Sequence, residues 1–119
     1  MFKRFSLITP VLLLAACGAT SSSNPEMFSF FASESGIKGS YNAATYSQAH
    51  VRARVAGLAC KSGKLASYSE TNKDGIVNFD SACVGPQSYE ESTAFTVNDV
   101  QKTGHITTSM DGQLIQKKL

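Results

Sequence analysis

The sequence has no tryptophan, only three prolines, three cysteines and two histidines, and no long run of one charge. Its 119 residues include 11 basic and 9 acidic side chains, a formal net charge of +2. That balance excludes a strongly basic nucleic-acid binder and an acidic tail. Hydrophobic residues make up 42% of the chain, enough for one small core, so bulk disorder is excluded as well. The length predicts one domain at most.

Sequence motifs of catalysis are also missing. The chain has no Gly-x-Ser-x-Gly elbow, no His-Glu-x-x-His motif and no glycine-rich phosphate loop. Its only imidazoles belong to His50 and His105, whereas a metal site needs about four closely spaced ligands. We therefore expect no enzyme, no metal and no cofactor, and we assign no catalytic residue.

Residues 1–16 have the pattern of a secretory signal peptide. Lys3 and Arg4 form a positive start, and Phe5 to Leu14 is an apolar run of ten residues. As a helix this run is about 15 Å long, too short to span a hydrocarbon core, and small residues follow it as they do before a cleavage site. Loss of the two N-terminal basic residues leaves nine basic against nine acidic ones, so the exported chain is neutral.

The end of this segment reads Leu14-Ala15-Ala16-Cys17 and is followed by Gly18. It resembles the lipobox of bacterial lipoprotein precursors. The resemblance covers only the first 18 residues. It implies that the Cys17 thiol takes a diacylglyceryl group, that a peptidase recognising Leu14, Ala15 and Ala16 cuts before Cys17, and that the new amine is acylated. Two or three acyl chains meet the requirement for stable anchoring. In a Gram-negative host, Gly18 in place of Asp implies the outer membrane, with the domain in the periplasm.

We divide the rest of the chain into two parts. Residues 17–34 are predicted to be the lipidated cysteine and a flexible Ser-rich tether, and residues 35–119 a small disulfide-bonded globular domain. Gly18 to Pro25 is small and polar, as is typical of a tether. Met27 to Phe31 holds three of the seven phenylalanines. It is interpreted as the first buried segment of the fold, with an interfacial contact to lipid or a partner as the alternative.

Residues 45–60 decide the predicted fold class. The alternation of Val51 and Val55 with arginines suits a strand, but the same stretch has a helical stripe of apolar residues. Thr45 and Gln48 form a capping-box pattern, and residues 61–63 have a helix stop signal. We predict a helix, and hence an α+β fold with one helix packed on an antiparallel sheet of four to five strands. An all-β barrel or sandwich follows if this stretch is a strand.

The remaining segments have strand patterns separated by turn residues. Asp74-Gly75 between two of them predicts a hairpin with a loop of more than two residues. The predicted strands are residues 65–70, 76–84, 93–97 and a terminal hairpin of 105–110 with 113–118. Residues 36–41 are a further candidate, which two glycines weaken. The predicted core consists of Val51, Val55, Leu58, Ile76 or Val77, Phe79, Phe95, Val97, Ile106, and Leu114 or Ile115.

Two further features concern sites. Once Cys17 is lipidated, Cys60 and Cys83 remain, an even number in an oxidising compartment, and we predict that they form a structural disulfide. The second feature is a candidate patch for an anionic partner such as lipopolysaccharide or protein carboxylates, with an ordinary polar face as the alternative. This patch consists of His50, Arg52 and Arg54.

Together these features predict a lipid-anchored cell-envelope protein that is a non-catalytic accessory or structural subunit of an envelope assembly. The alternative is a periplasmic binding or inhibitor module for a soluble ligand or enzyme. The expected partners are the membrane, through acyl chains on Cys17, and an envelope protein. We expect no nucleic acid, and the sequence identifies no small-molecule ligand.

Overall fold

The computed structural model describes residues 24–110 and 113–119. Its strands form one antiparallel sheet in the order β3-β4-β2-β1-β5-β6-β7, and the helix packs on one face of it. The elements in chain order are β1 (Phe28–Ser33), β2 (Gly36–Asn42), α1 (Gln48–Ala59), β3 (Leu65–Lys73), β4 (Ile76–Cys83), β5 (Thr93–Asn98), β6 (Thr103–Met110) and β7 (Gln113–Lys118). The predicted helix on an antiparallel sheet is confirmed in outline, but four to five strands understates the seven described.

A row of aromatic side chains across the sheet builds the core. Phe30 pairs with Gly39 on one side and with Phe95 on the other, and Gly39 pairs in turn with Phe79. The rings of Phe30 and Phe95 stack with centroids 4.5 Å apart. The helix closes the core from above with Val51, Val55, Ala56 and Ala59, all of which are buried.

The strand β1 lies inside the region that the sequence analysis assigned to the tether. It is hydrogen bonded to β2 on one side and to β5 on the other. Phe28, Phe30 and Ala32 are buried under α1, while Phe31 is exposed on the opposite face of the sheet. A tether extending to residue 34 is therefore too long, and the domain includes residues 28–34. The interpretation of this phenylalanine-rich segment as the first buried part of the fold is confirmed.

The helix α1 confirms the choice of helix for residues 45–60, although it is shorter at both ends. Ser47, rather than Thr45, is the N-cap, and its Oγ accepts a hydrogen bond from the His50 backbone N–H at 3.1 Å. At the other end Cys60 is already extended, with φ −118° and ψ 130°. The helix thus ends before the stop signal at residues 61–63.

The β3–β4 hairpin is tighter than predicted. Lys73 pairs with Ile76, which leaves Asp74 and Gly75 as a two-residue loop. Both have positive φ, 54° and 87°, the conformation that a type I′ turn requires and that Asp-Gly favours. The predicted longer loop is wrong because β3 continues to Lys73 instead of ending at residue 70.

The predicted core is correct in the middle of the sheet and wrong at its edge. Leu114 and Ile115 are 78% and 43% exposed, because β7 is the last strand of the sheet and α1 does not reach it. Of the pair at the start of β4, Val77 is the buried member, and Leu58 is only partly buried. Outside the phenylalanine-rich segment, the buried side chains that were not predicted include Ala32, Ile37, Tyr41 and Tyr46.

Candidate functional site

The predicted lipidation site lies outside the described residues. Cys17 and the peptidase-recognition residues Leu14, Ala15 and Ala16 all precede Asn24, where the described chain begins. Within the described chain, no helix has the length and hydrophobicity of a membrane-spanning helix. Because Leu14 to Cys17 lie outside the described residues, the lipobox stays a prediction.

The two remaining cysteines form the predicted disulfide. Cys60 is bonded to Cys83, with their Cα atoms 5.4 Å apart. The bond joins the C-cap of α1 to the last residue of β4. The loop that follows β4 is fixed to the same place, because the Ser88 N–H donates to the Ala59 carbonyl at 2.7 Å and the Gln87 side chain donates to the Ser33 carbonyl at 2.8 Å. The disulfide thus secures the end of α1 to the sheet.

The predicted anionic-partner patch is not one surface. His50 Nε2 and Arg54 Nε both contact Oδ2 of Asp99, at 2.6 Å and 2.9 Å. Arg52 lies on the opposite flank of α1, where its guanidinium carbon is 4.9 Å from the centre of the Tyr68 ring. Two of the three predicted side chains are therefore paired with a carboxylate of the same domain, and the third packs on an aromatic ring.

Asp99 is the centre of a polar cluster that joins three parts of the chain. Its backbone N–H donates to the Tyr46 hydroxyl at 2.9 Å, and that hydroxyl donates to the carbonyl of Glu26. The Tyr46 and His50 rings stack with centroids 5.3 Å apart. The cluster thus ties the residues just before β1 to the start of α1 and to the β5–β6 loop.

A second polar cluster lies between β2, β3 and α1. Oε2 of Glu70 accepts hydrogen bonds from the hydroxyls of Tyr68 and Tyr41, at 2.8 Å and 3.0 Å. Burial and the bond to Glu70 raise the pKa of Tyr41 to about 12, and the same two causes raise the pKa of Tyr68. Partial burial by itself raises the pKa of Glu70, but the hydrogen bonds from Tyr68, Gln48 and Tyr41 outweigh it and hold that pKa below the ordinary 4.5. Both tyrosines therefore act as neutral donors to a carboxylate.

This cluster predicts a pH dependence of stability. Because the pKa of Glu70 is lower in the folded than in the unfolded chain, its stabilisation is complete above the ordinary value of 4.5 and is lost as the pH falls through the folded-state pKa. Glu70→Gln should cost about 1–2 kcal/mol at pH 7 and flatten the acid limb of the stability profile. Urea unfolding between pH 3 and pH 7 checks this, with Glu34→Gln in the exposed β1–β2 turn as the control. If the acid limb of the stability profile is unchanged in Glu70→Gln, the claim that ionised Glu70 stabilises the fold through this cluster is wrong.

The residues at the centre of both clusters were not predicted from the sequence. Tyr68 and Glu70 are two residues apart on one strand and hence on one face, so their spacing does predict a contact once β3 is assigned. Asp99 is 49 residues from His50 in the chain, and only the folded sheet brings them together. No local pattern indicates that pair.

One surface groove is more apolar than the rest. It lies between the loop after β4 and the last two strands and has a volume of about 460 Å³. Its lining includes the apolar or aromatic side chains of Tyr89, Ile106 and Ile115 and the charged side chains of Lys117, Glu90 and Glu91. Among residues 24–110 and 113–119, no group of three histidine, cysteine or acidic side chains is arranged to hold a metal ion. Comparisons with protein-family models, curated proteins and solved structures gave no match to this chain.

Proposed function

We propose that this protein is an exported lipoprotein of the cell envelope, anchored through acyl chains on Cys17, and that its domain is a non-catalytic accessory or structural subunit of an envelope assembly. The observation that carries the proposal is the lipobox Leu14-Ala15-Ala16-Cys17 at the end of a short apolar leader. The location at the outer membrane, with the domain in the periplasm, belongs to the same proposal.

The way in which the chain enters the domain supports an anchoring role. β1 begins only eleven residues after Cys17 and lies in the middle of the sheet, between β2 and β5. Just before it, the Glu26 carbonyl accepts the hydrogen bond from Tyr46. A pull on the anchor therefore acts on a strand that is hydrogen bonded on both sides, which suits a domain held at a membrane.

The disulfide supports export. Structural disulfides persist in oxidising compartments such as the bacterial periplasm and are rare in the cytosol. Cys60 and Cys83 are bonded in the folded domain. The leader and the folded domain thus favour the same compartment through independent observations.

A binding or inhibitor module is the second candidate function. The groove lined by Tyr89, Ile106 and Ile115 favours it, because clefts lined mainly by apolar side chains with a few polar or charged groups are typical of ligand sites. In this function the domain would bind a soluble ligand or enzyme while the acyl chains hold it at the membrane.

Mass spectrometry of the proteins that co-purify with the tagged, lipidated protein tests the first function against the second. From gently solubilised membranes we expect one abundant envelope protein in near-stoichiometric amount, and its loss from a Cys17→Ala sample. Recovery of the protein without any stoichiometric partner would contradict the accessory role and favour the binding module.

A further inference from the structure

The sheet has two open edges, and their side chains differ. β3 forms one edge and β7 the other, so within the described chain each is paired with a neighbouring strand on one side only. The β3 edge is irregular and polar. Its register with β4 shifts between Leu65 and Ser67, and over its described length, Leu65–Lys73, no large apolar side chain is exposed. Irregular register and polar side chains keep edge strands from pairing with other chains, so the β3 edge is protected.

The β7 edge lacks this protection over most of its length. Its register with β6 is unbroken, and all of its residues are exposed. Leu114 is 78% and Ile115 43% exposed, and as neighbours in a strand they lie on opposite faces of the sheet. The charged side chains, Lys117 and Lys118, come only at the end of the strand. A regular, exposed edge with aliphatic side chains is a template for a further strand.

One hydrogen bond shows which backbone groups of β7 point to the open edge. The Leu119 N–H donates to the Gly104 carbonyl at 2.9 Å, and these two residues are opposed in the register of β6 with β7. Hydrogen-bonded pairs alternate along an antiparallel ladder, so every second residue back from Leu119 is bonded to β6. The residues between them direct their N–H and C=O groups away from β6, and these residues are Leu114, Gln116 and Lys118.

A second copy of β7 fits this edge best in an antiparallel register centred on Ile115. Under two-fold symmetry the edge-directed groups of the two strands must face each other, and two registers, centred on Ile115 or on Gln116, then keep most of β7 paired. Centring on Gln116 would place the Lys117 side chains of the two copies diagonally on one face, where like charges repel. Centring on Ile115 places each Lys117 opposite Gln113 of the other copy, and the lysines stay apart.

The same register brings the exposed aliphatic side chains of β7 together. The two Ile115 side chains are directly opposed on the face that carries the apolar groove, so the grooves of the two copies, each lined by Tyr89, Ile106 and Ile115, adjoin. On the other face the two Leu114 side chains are diagonal neighbours. Pairing thus removes from water the apolar surface that α1 leaves uncovered at this edge, which favours association.

We propose that two copies of this protein associate through β7, in antiparallel pairing centred on Ile115, and form one continuous sheet with both helices on the same face. The lysines at the end of β7 select this register instead of blocking the edge. The inference goes beyond the proposed envelope role and does not depend on the lipid anchor, because the residues that carry it all lie in the folded domain.

Disulfide trapping of the full-length protein tests the register. In Ile115→Cys the two new thiols lie on directly opposed residues with Cα atoms about 4.5 Å apart, within the range of a disulfide. Gln113→Cys is the control on the same strand and face, where the two substituted positions are about 13 Å apart along the strands. Under mild oxidation we expect at least about tenfold more covalent dimer from Ile115→Cys than from Gln113→Cys.

The parent protein without either substitution controls for any linkage through Cys17. Equal trapping in the two variants, or no covalent dimer from Ile115→Cys, would overturn the proposal. The intact mass of the trapped product identifies what occupies the edge. The proposal requires the mass of two copies of this chain, and a product that joins one copy to a different protein would also overturn it.

Gln116→Pro gives a second measurement, with Gln116→Ala as the matched control. The Gln116 N–H points away from β6, so proline there removes no hydrogen bond within the domain, and edge strands tolerate proline at such positions. In the paired copies the same substitution removes two symmetry-related hydrogen bonds. Sedimentation velocity in detergent should show a dimer for the wild type and Gln116→Ala and a monomer for Gln116→Pro, with circular dichroism confirming that the variant is folded. A dimer that persists in folded Gln116→Pro, or a monomeric wild-type protein, would contradict association through β7.

Discussion

Removal of the disulfide between Cys60 and Cys83 is expected to lower the free energy of unfolding by about 3–4 kcal/mol, and the melting temperature by roughly 15–30 °C. The sequence separation of 23 closes a loop of moderate length in the unfolded chain, and releasing it restores the corresponding chain entropy. In the folded state the bond also holds the C-cap of α1 against β4. The loss is large because a domain of this size has a total stability of only about 5–10 kcal/mol.

Chemical unfolding of the double variant Cys60→Ala, Cys83→Ala measures this effect without leaving a lone thiol in the core. The oxidised wild-type protein is the reference, and the wild-type protein under reducing conditions is the control. Both disulfide-free forms should unfold at similarly lowered denaturant concentration. A midpoint that is unchanged in the double variant would show that the sheet and helix hold together without the bond.

Gly39→Ala is expected to lower the free energy of unfolding by at least about 2 kcal/mol. Gly39 lies in β2 between the cross-strand neighbours Phe30 and Phe79. A Cβ at this position would come within 2.6 Å of Phe30 Cβ and of Phe79 Cζ, and it would also clash with the backbone oxygen of Ser29. Since one of these neighbours is backbone in the central strand β1, the sheet cannot yield by a simple rotamer change.

Gly57→Ala is the matched control for that substitution. Gly57 lies on the exposed side of α1, and apart from its chain neighbours and the nearby backbone of its own helix, no heavy atom lies within 4 Å of the position its Cβ would take. Here alanine should raise the stability by about 0.5–1 kcal/mol, because it favours the helix over the unfolded chain. Thermal unfolding should show a lower melting temperature for Gly39→Ala and a higher one for Gly57→Ala. An unchanged melting temperature in Gly39→Ala would contradict the aromatic row as the centre of the core.

Local patterns predicted the later strands and the helix well. Apolar and polar residues alternate in β4 and β5, and the Asp111-Gly112 turn signal separates β6 from β7, so local signals locate these four strands. Residues 45–60 fit both a helix and a strand. Intrinsic helix preferences correctly favoured the helix, although the capping-box pattern placed its start at Thr45 instead of Ser47. The two-residue Asp74-Gly75 turn was missed because Thr71 to Lys73 are polar and typical of a loop, although pairing with β4 keeps them in the strand.

The remaining wrong predictions concern features that depend on where an element lies in the folded domain. β1 is short and follows a Ser-rich tether, and nothing local shows that it becomes a central strand with neighbours on both sides. Alternation in β7 shows that Leu114 and Ile115 face opposite sides but not whether either side is covered. The contact of His50 and Arg54 with Asp99 depends on packing α1 against the β5–β6 loop, and this is why a predicted patch became two separate arrangements.

The intact mass of the protein extracted from membranes tests the anchor most directly, with Cys17→Ala as the matched variant. We expect a wild-type mass equal to residues 17–119 with an oxidised disulfide, a diacylglyceryl group and one further acyl group. We also expect that Cys17→Ala retains residues 1–16 and has no lipid mass. A wild-type protein without acyl groups, or one cleaved at a different residue, would contradict the lipid anchor.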